Sequence, residues 1–141
     1  MTATLKPELF SKALHVMSHA HAPYSRFHVG AAVLADNGHI YHGCNVENAS
    51  YPEGLCAEAG AISAMIADGG RRIQQICIVG AYDDTAAPCG GCRQKILEFA
   101  DGDTPVFICS PNGVQKTYRL DELLPHPFRS ANLKTAQKET T

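Results

Sequence analysis

The amino-acid sequence predicts a single α/β domain, built as a three-layer α-β-α arrangement around a mixed five-stranded sheet. Helix and strand patterns alternate along the chain in the order helix, hairpin, helix, strand, helix, hairpin. The 141 residues are 45% hydrophobic, which suffices for one core and is too little for two domains. The last two strands are joined by a link too short for a parallel crossover, so we expect them to be antiparallel.

The chain opens with an amphipathic helix and a β-hairpin. Apolar residues recur at three- and four-residue steps over 9–20, with Pro7 in the first turn and Pro23 closing the segment. Two runs rich in strand-forming residues then flank the turn signal Asp36-Asn37-Gly38. Phe27 lies just before the first of these runs, and on its residue type alone we expect it to be a core aromatic.

The rest of the chain continues the alternation. The elements are a helix at 56–68, a buried strand at 75–80, a helix ending at Asp101-Gly102, a buried strand at 105–109 and a strand at 114–119. Cys77 lies inside a buried strand, so we interpret it as a small core residue. We expect residues 1–133 to form the domain, and residues 134–141 to be a polar, disordered tail.

Three cysteines stand at two predicted helix starts. Cys89 and Cys92 are three residues apart, so they lie on one face of a first helical turn and can bind one ion. Cys56 begins another predicted helix, and a shared metal would join the two helices. Zinc prefers Cys and His ligands in a tetrahedron, and a catalytic zinc keeps one position open for water. The three cysteines therefore predict one catalytic Zn²⁺ in the domain.

Glu58 follows Cys56 by two residues and is not needed as a ligand. In the first turn of a helix its side chain can reach past the helix end, toward the water on the metal. A catalytic zinc lowers the pKa of that water from about 15.7 to near 7. A carboxylate there can take the proton and pass it to a leaving group. We therefore predict that Glu58 is the catalytic acid and base.

Two simpler interpretations of the cysteines stay open. A C-x-x-C pair is also typical of redox proteins, but such a pair needs neither a third cysteine nor a glutamate. A structural zinc site usually closes with four protein ligands, and here the fourth would be Cys44, Cys77 or Cys109.

Charge and composition argue against several partners. The formal net charge is -2 at pH 7, whereas nucleic-acid-binding domains usually carry a basic face. The sequence has neither a basic-plus-apolar N-terminal signal nor an apolar run of 18 or more residues, so we expect no membrane association and a cytoplasmic location. In that compartment the six cysteines stay reduced, which favours metal binding over disulfides.

The segments Cys56-Ala57-Glu58 and 88–94, Pro-Cys-Gly-Gly-Cys-Arg-Gln, resemble the signature of zinc-dependent nucleoside and nucleobase deaminases. Cysteine at position 56 is similar to the small, homotetrameric cytidine deaminases, and the resemblance covers residues 7–133. It implies a cytidine-deaminase-like fold, one Zn²⁺ per subunit and a pyrimidine nucleoside as the small-molecule partner. The implied reaction is hydrolytic deamination of cytidine and 2′-deoxycytidine in pyrimidine salvage, with active sites shared between subunits.

The same resemblance implies substrate-binding residues. The stretch 23–27 matches a family segment whose phenylalanine, here Phe27, helps to form the base pocket. Asn45 and Glu47 match the pair that holds the sugar 3′-hydroxyl, although on residue types alone this segment is also typical of an ordinary turn-forming loop. Phe128 matches an aromatic placed over a neighbouring subunit's base. The implied binding residues also include Ala57 and, as an inter-subunit contact, Tyr51. An alternative for both Tyr51 and Phe128 is that they are packing residues within one subunit.

One residue departs from the family pattern. Ala59 stands where members of this type usually carry an arginine. Zinc with three thiolates has a net charge of about -1, so we expect a more electron-rich site, with Arg93 and the helix dipoles left to tune its charge. Two other functions stay open, namely deamination of a nucleoside-like antibiotic of the blasticidin type and non-catalytic binding of zinc or a nucleoside. The charge and the final hairpin argue against an RNA- or DNA-editing enzyme.

Overall fold

A computed structural model describes residues 3–84 and 86–139 of the chain. The predicted helices and strands are present with shifts of a few residues at their ends. In chain order the elements are α1 (Pro7–Met17), β1 (Val29–Ala35), β2 (Ile40–Cys44), a 3₁₀ turn (Tyr51–Glu53), α2 (Ala57–Ala67), β3 (Ile73–Gly80), α3 (Gly90–Phe99), β4 (Pro105–Ser110), β5 (Gly113–Arg119), α4 (Leu120–Leu123) and α5 (Ser130–Glu139).

The strands form one five-stranded sheet in the order β2-β1-β3-β4-β5. β1 pairs antiparallel with both β2 and β3, whereas β3 and β4 are parallel and are connected through α3. β4 and β5 form an antiparallel hairpin, so the predicted direction of the last two strands is confirmed. The sheet is therefore mixed, as the sequence predicts.

Helices cover both faces of the sheet. α1 packs on one face, where Leu9 and Ala13 lie among buried sheet residues that include Cys77 and Cys109. Residues of α2, α3 and α4 fill the core on the other face together with the opposite side chains of the strands. Cys77 is fully buried, so its interpretation as a core residue is confirmed. The α/β fold class with three layers is likewise confirmed.

The backbones of β2 and α2 are in direct contact at Gly43. A Cβ atom at this position would lie 2.5 Å from the backbone nitrogen of Ala61, 2.7 Å from the carbonyl carbon of Gly60 and 2.8 Å from the carbonyl oxygen of Ala57. Since all three atoms belong to backbone, a side chain could not be accommodated without moving the helix. This contact holds the start of α2 beside the end of β2.

The C-terminal segment contains the last helix. The backbone of α5 is helical over Ser130–Glu139, which takes in residues 134–139 of the predicted polar tail. This stretch lacks glycine and proline and is rich in alanine, lysine, leucine, glutamine and glutamate, all good helix formers, so local propensity outweighs its polar composition. Residues 140 and 141 lie outside the described part of the chain.

None of the helices described over 3–84 and 86–139 combines the length and the apolar character that crossing a lipid bilayer requires.

Candidate active site

Two helix N-termini bring three cysteine sulfurs together. Cys56 is the N-cap residue of α2, Cys89 is the N-cap residue of α3, and Cys92 lies in the first turn of α3. Their sulfur atoms all lie within 4.8 Å of one another, and the sulfurs of Cys56 and Cys89 are 3.9 Å apart. Sulfurs bound to one tetrahedral zinc at about 2.3 Å stand about 3.8 Å from each other. The cluster therefore fits a zinc ion.

The electrostatic surroundings differ among the three thiols. Burial raises the pKa of Cys56 and of Cys92, which lies deepest in the cluster. The backbone N–H of Cys92 lowers the pKa of Cys89 by hydrogen bonding to its sulfur. Helix N-termini favour negative charge, but three adjacent thiolates repel one another, so a divalent cation is needed to keep all three deprotonated.

The remaining cysteines do not join this cluster. In residues 3–84 and 86–139, the three sulfurs form the single group of three or more His, Cys, Asp or Glu side chains that could hold a metal ion. Cys77 and Cys109 contact each other through sulfurs 3.6 Å apart, in the core on the α1 side of the sheet. The geometry thus supplies three protein ligands rather than the four of a closed structural site.

Glu58 is buried beside the sulfur cluster, with 4% of its surface exposed. It is the second residue of α2, so its side chain leaves the helix at the end where Cys56 lies. Burial raises the pKa of its carboxyl above the ordinary range, while a hydrogen bond from Cys92 and the charge of Lys95 act in the opposite direction. A carboxyl with a raised pKa can accept and return protons near neutral pH.

A cavity of about 490 Å³ opens beside Glu58. This volume lies within the range of small-molecule sites in proteins. Its lining includes Cys56, Cys89 and the carboxyl-bearing Glu58. The predicted substrate-binding residues that line it are Phe27, Asn45, Glu47, Tyr51 and Ala57. The structure therefore brings most of the predicted site together on one cavity wall.

Phe27 lies on this wall and not in the core. Among the described residues it belongs to neither core cluster, so the expectation from its residue type alone is wrong. A Cβ on Gly80 would stand 3.4 Å from its ring, and the ring of Tyr82 is 5.8 Å away between centroids. The small residue at position 80 leaves the space that the ring occupies.

Asn45 and Glu47 line the cavity and also hold the segment that carries Phe27. The Asn45 amide accepts a hydrogen bond from the backbone N–H of Val29 at 2.9 Å and donates one to the carbonyl of Phe27 at 2.8 Å. Oε1 of Glu47 accepts from the backbone N–H groups of Tyr24 and Ser25, at 2.9 and 3.1 Å. Both side chains keep unused hydrogen-bonding capacity for a ligand.

Tyr51 and Phe128 are exposed, with 75% and 60% of their surface accessible. Neither ring belongs to a core cluster of the described residues. Tyr51 lines the cavity, and its ring contacts that of Tyr24 at 5.7 Å between centroids. Phe128 follows α4, where its carbonyl accepts a hydrogen bond from Gln94. Among the described residues of this subunit that line the cavity, Phe128 is absent.

Arg93 is half-buried and joins the metal-binding segment to α4. Its Nε donates to the carbonyl of Pro88 at 2.7 Å and its Nη1 donates to the carbonyl of Leu123 at 2.8 Å. Pro88 directly precedes Cys89, so the guanidinium charge lies close to the cluster.

Two residues beside the cavity were not predicted from the sequence. Nζ of Lys95 lies 3.6 Å from the position that a Cβ on Gly91 would take, in the first turn of α3, and its charge acts on Glu58. The sequence feature that could have indicated it is a lysine one helical turn after Cys92. The second residue is Ser25, whose hydroxyl donates to Glu47. The sequence feature that could have indicated Ser25 is its position two residues before Phe27.

Comparison with known proteins gives a consistent result. Residues 4–108 match a family model described as the cytidine and deoxycytidylate deaminase zinc-binding region. The chain is 37% identical over 132 residues to a cytidine deaminase of Sporosarcina psychrophila, covering 94% of this chain and 97% of that protein. It is 41% identical over 120 residues to a cytidine deaminase of Mycobacterium tuberculosis, covering 85% and 86%.

Solved structures show the same similarity. A crystal structure of cytidine deaminase from Burkholderia pseudomallei superposes with a TM-score of 0.82 at 37% sequence identity, covering 89% of this chain and all of that one. The cytidine deaminase of Mycobacterium tuberculosis superposes with a TM-score of 0.74 at 39% identity, covering 86% of this chain and 95% of that one.

Proposed function

Since this chain belongs to the family of cytidine and deoxycytidylate deaminases with a zinc-binding region, we propose that it hydrolyses cytidine and 2′-deoxycytidine to uridine and 2′-deoxyuridine, with release of ammonia. The observation that carries the proposal is the burial of Glu58 beside three sulfur atoms, on a cavity that also presents an aromatic ring and polar side chains. The reaction would serve pyrimidine salvage in the cytoplasm.

Cys56, Cys89 and Cys92 would hold one Zn²⁺ per subunit, and their spacing fits that ion. When bound, zinc supplies the Lewis-acid activation of the water that attacks the base. The three sulfurs would supply three of the four ligands of a tetrahedral zinc, which would leave one position for a water molecule. Arg93, with Lys95, is the proposed source of positive charge near the thiolates, in a chain where Ala59 provides none.

Glu58 is the proposed proton carrier. The water oxygen forms a bond with C4 of the base, and the bond between C4 and the exocyclic nitrogen breaks. Glu58 accepts the proton that the water loses and donates it to N3. It then takes the proton of the new hydroxyl on C4 and passes it to the departing amine, which leaves as ammonia while C4 becomes a carbonyl. Its buried position suits both roles, since burial favours the protonated carboxyl while neighbouring charge favours the carboxylate.

The other cavity residues are proposed to orient the nucleoside. The ring of Phe27 forms the wall for the base, and Asn45 and Glu47 hold the sugar 3′-hydroxyl with their remaining hydrogen-bonding capacity. Ala57 is the first residue of α2, where the backbone N–H groups have no partner within the helix and can donate to the base.

We predict which nucleosides the protein deaminates. Ammonia release is measured from cytidine, 2′-deoxycytidine, blasticidin and adenosine, with protein whose zinc content has been determined. Turnover of the first two substrates alone is expected, because the cavity joins a base wall to a pair of sugar-binding side chains. Turnover of blasticidin alone would assign the site to a nucleoside-like antibiotic. Absence of turnover with zinc fully bound would mean that the site binds zinc or a nucleoside without catalysis.

The proposed assembly is a homotetramer with active sites shared between subunits. Phe128 is exposed and separate from its own subunit's cavity wall, so it is free to reach a neighbour's cavity, and exposed Tyr51 stands at the rim of its own. Large exposed aromatics are typical of interface residues.

Phe128→Ala is predicted to raise KM by about 30-fold, since aromatic residues at interface centres contribute about 2 kcal/mol or more. Val114→Ala, which removes another exposed apolar side chain, on β5, serves as the control. Mixing Phe128→Ala subunits with inactive Glu58→Gln subunits is expected to restore activity, because a hybrid site combines an intact Glu58 with a neighbour's Phe128. If sedimentation velocity showed a monomer and the assay showed that this monomer is fully active, the idea of shared active sites would be contradicted.

A further inference from the structure

The segment that carries Phe27 has an unusual backbone. Arg26 adopts a φ of 61°, in the left-handed region that a bulky residue rarely occupies. Its backbone N–H donates to the carbonyl of Ala22 at 2.9 Å. A conformation of this kind persists only where the surrounding contacts determine it. The contacts on either side of Arg26 therefore decide where the Phe27 ring stands.

Ser25 makes three of these contacts. Its backbone N–H donates to Oε1 of Glu47 at 3.1 Å, and its hydroxyl donates to Oε2 of the same carboxylate. The backbone N–H of Phe27 donates to the Ser25 hydroxyl oxygen at 3.0 Å. Because an N–H can only donate and an ionised carboxylate can only accept, the hydroxyl proton must point to Glu47. One hydroxyl thus links the backbone of Phe27 to the carboxylate.

The other side of the segment is held by Asn45. Its amide group binds the carbonyl of Phe27 at 2.8 Å and the N–H of Val29 at 2.9 Å. The N–H and the carbonyl of Phe27 are therefore both held by residues of the cavity wall. The Ser25 hydroxyl also lowers the pKa of Glu47, so this carboxylate stays ionised at neutral pH and can accept a ligand hydroxyl.

We propose that Ser25 is a positioning residue that couples recognition of the sugar to recognition of the base. By holding Glu47 and Phe27 in one hydrogen-bonded unit, it makes the placement of the base wall depend on the carboxylate that receives the sugar hydroxyl. This inference rests on the proposed function, in which Glu47 binds the 3′-hydroxyl and Phe27 contacts the base. Ser25 lies in the segment between α1 and β1, whereas Glu58 and the three cysteines lie at the starts of α2 and α3, so we expect it to act on binding rather than on proton transfer.

The test compares two substrates that differ at the sugar. Ser25→Ala leaves the N–H of Phe27 without its acceptor and Glu47 without one donor. KM for cytidine is expected to rise about tenfold, or about 1.4 kcal/mol, as for loss of a hydrogen bond to a charged group, with kcat within about twofold. For 3′-deoxycytidine, which differs from cytidine only in lacking the 3′-hydroxyl, the rise in KM is expected to be about threefold or less, so the preference for cytidine shrinks.

Two control variants and two further measurements make the result specific. Ser25→Thr keeps the hydroxyl and is expected to restore most of the cytidine affinity, and Ser63→Ala, at an exposed position of α2, is expected to change nothing. Thermal unfolding of each zinc-loaded variant verifies folding, and calorimetry with uridine measures binding without turnover. An equal rise in KM for both substrates, or a fall in kcat alone, would overturn the coupling. Inactive wild-type protein would instead contradict the proposed function.

Discussion

Glu58→Gln is expected to lower kcat by about 10³-fold, because an amide of the same shape neither accepts nor returns a proton at neutral pH. The zinc content of this variant is expected to equal that of the wild type, since the three cysteine sulfurs account for the protein ligands. Both quantities are measured on the same preparation, by ammonia release and by metal analysis. Glu53→Gln is the matched control, because that carboxylate is exposed in the 3₁₀ turn before α2.

The Glu58→Gln substitution is also expected to raise the thermal stability of the zinc-free protein. Burial raises the pKa of Glu58 in the folded state above its ordinary value of 4.5. Ionising this carboxyl is therefore harder in the folded protein than in the unfolded chain, and the ionised carboxylate lowers the free energy of unfolding. This effect grows as the pH rises from 4.5 through the raised pKa. In zinc-free protein, Glu58→Gln is therefore expected to unfold at a higher temperature than wild type at pH 7, and the difference is expected to shrink toward pH 4.

Two results would contradict this role of Glu58. Loss of zinc from Glu58→Gln would assign the carboxyl to metal binding, and turnover close to that of wild type would assign proton transfer to another group. Glu53→Gln is expected to stay within about twofold of wild type in kcat, as is usual for an exposed surface position.

Cys92→Ser is expected to lower zinc affinity by more than about 100-fold and to remove turnover. Cys92 is fully buried in the first turn of α3, and it is the cysteine that lies deepest in the cluster. A serine hydroxyl stays protonated at neutral pH and binds zinc poorly, so two sulfurs would remain for the ion. Metal analysis after dialysis against a weak chelator measures the loss, and ammonia release measures its consequence.

Cys44→Ser distinguishes a catalytic from a closed structural zinc site. Cys44 is half-buried at the end of β2, and in the described structure it lies outside the three-sulfur group. Its replacement is expected to leave zinc content and turnover unchanged. If zinc were lost from Cys44→Ser as readily as from Cys92→Ser, four cysteines would bind the ion, and no position would remain for water.

Much of the fold and of the metal site followed from local patterns. The spacing of Cys89 and Cys92 and the position of Glu58 two residues after Cys56 depend only on helix geometry. The short connection between β4 and β5 settled the direction of that pair, because a parallel pair cannot close over so few residues. These features involve residues close together in the chain, where the backbone itself determines what can meet.

The sequence by itself determined the types of the ligands, the elements that carry them and the order of those elements. Only the tertiary structure decided that Phe27 lies on the cavity wall, that Asn45 holds its backbone, and that the charge of Lys95 acts on Glu58. The physical reason is that such contacts join backbones far apart in sequence. Their distances are decided by sheet register and by close approaches such as that of Gly43 to α2, which a single sequence does not encode in any local pattern.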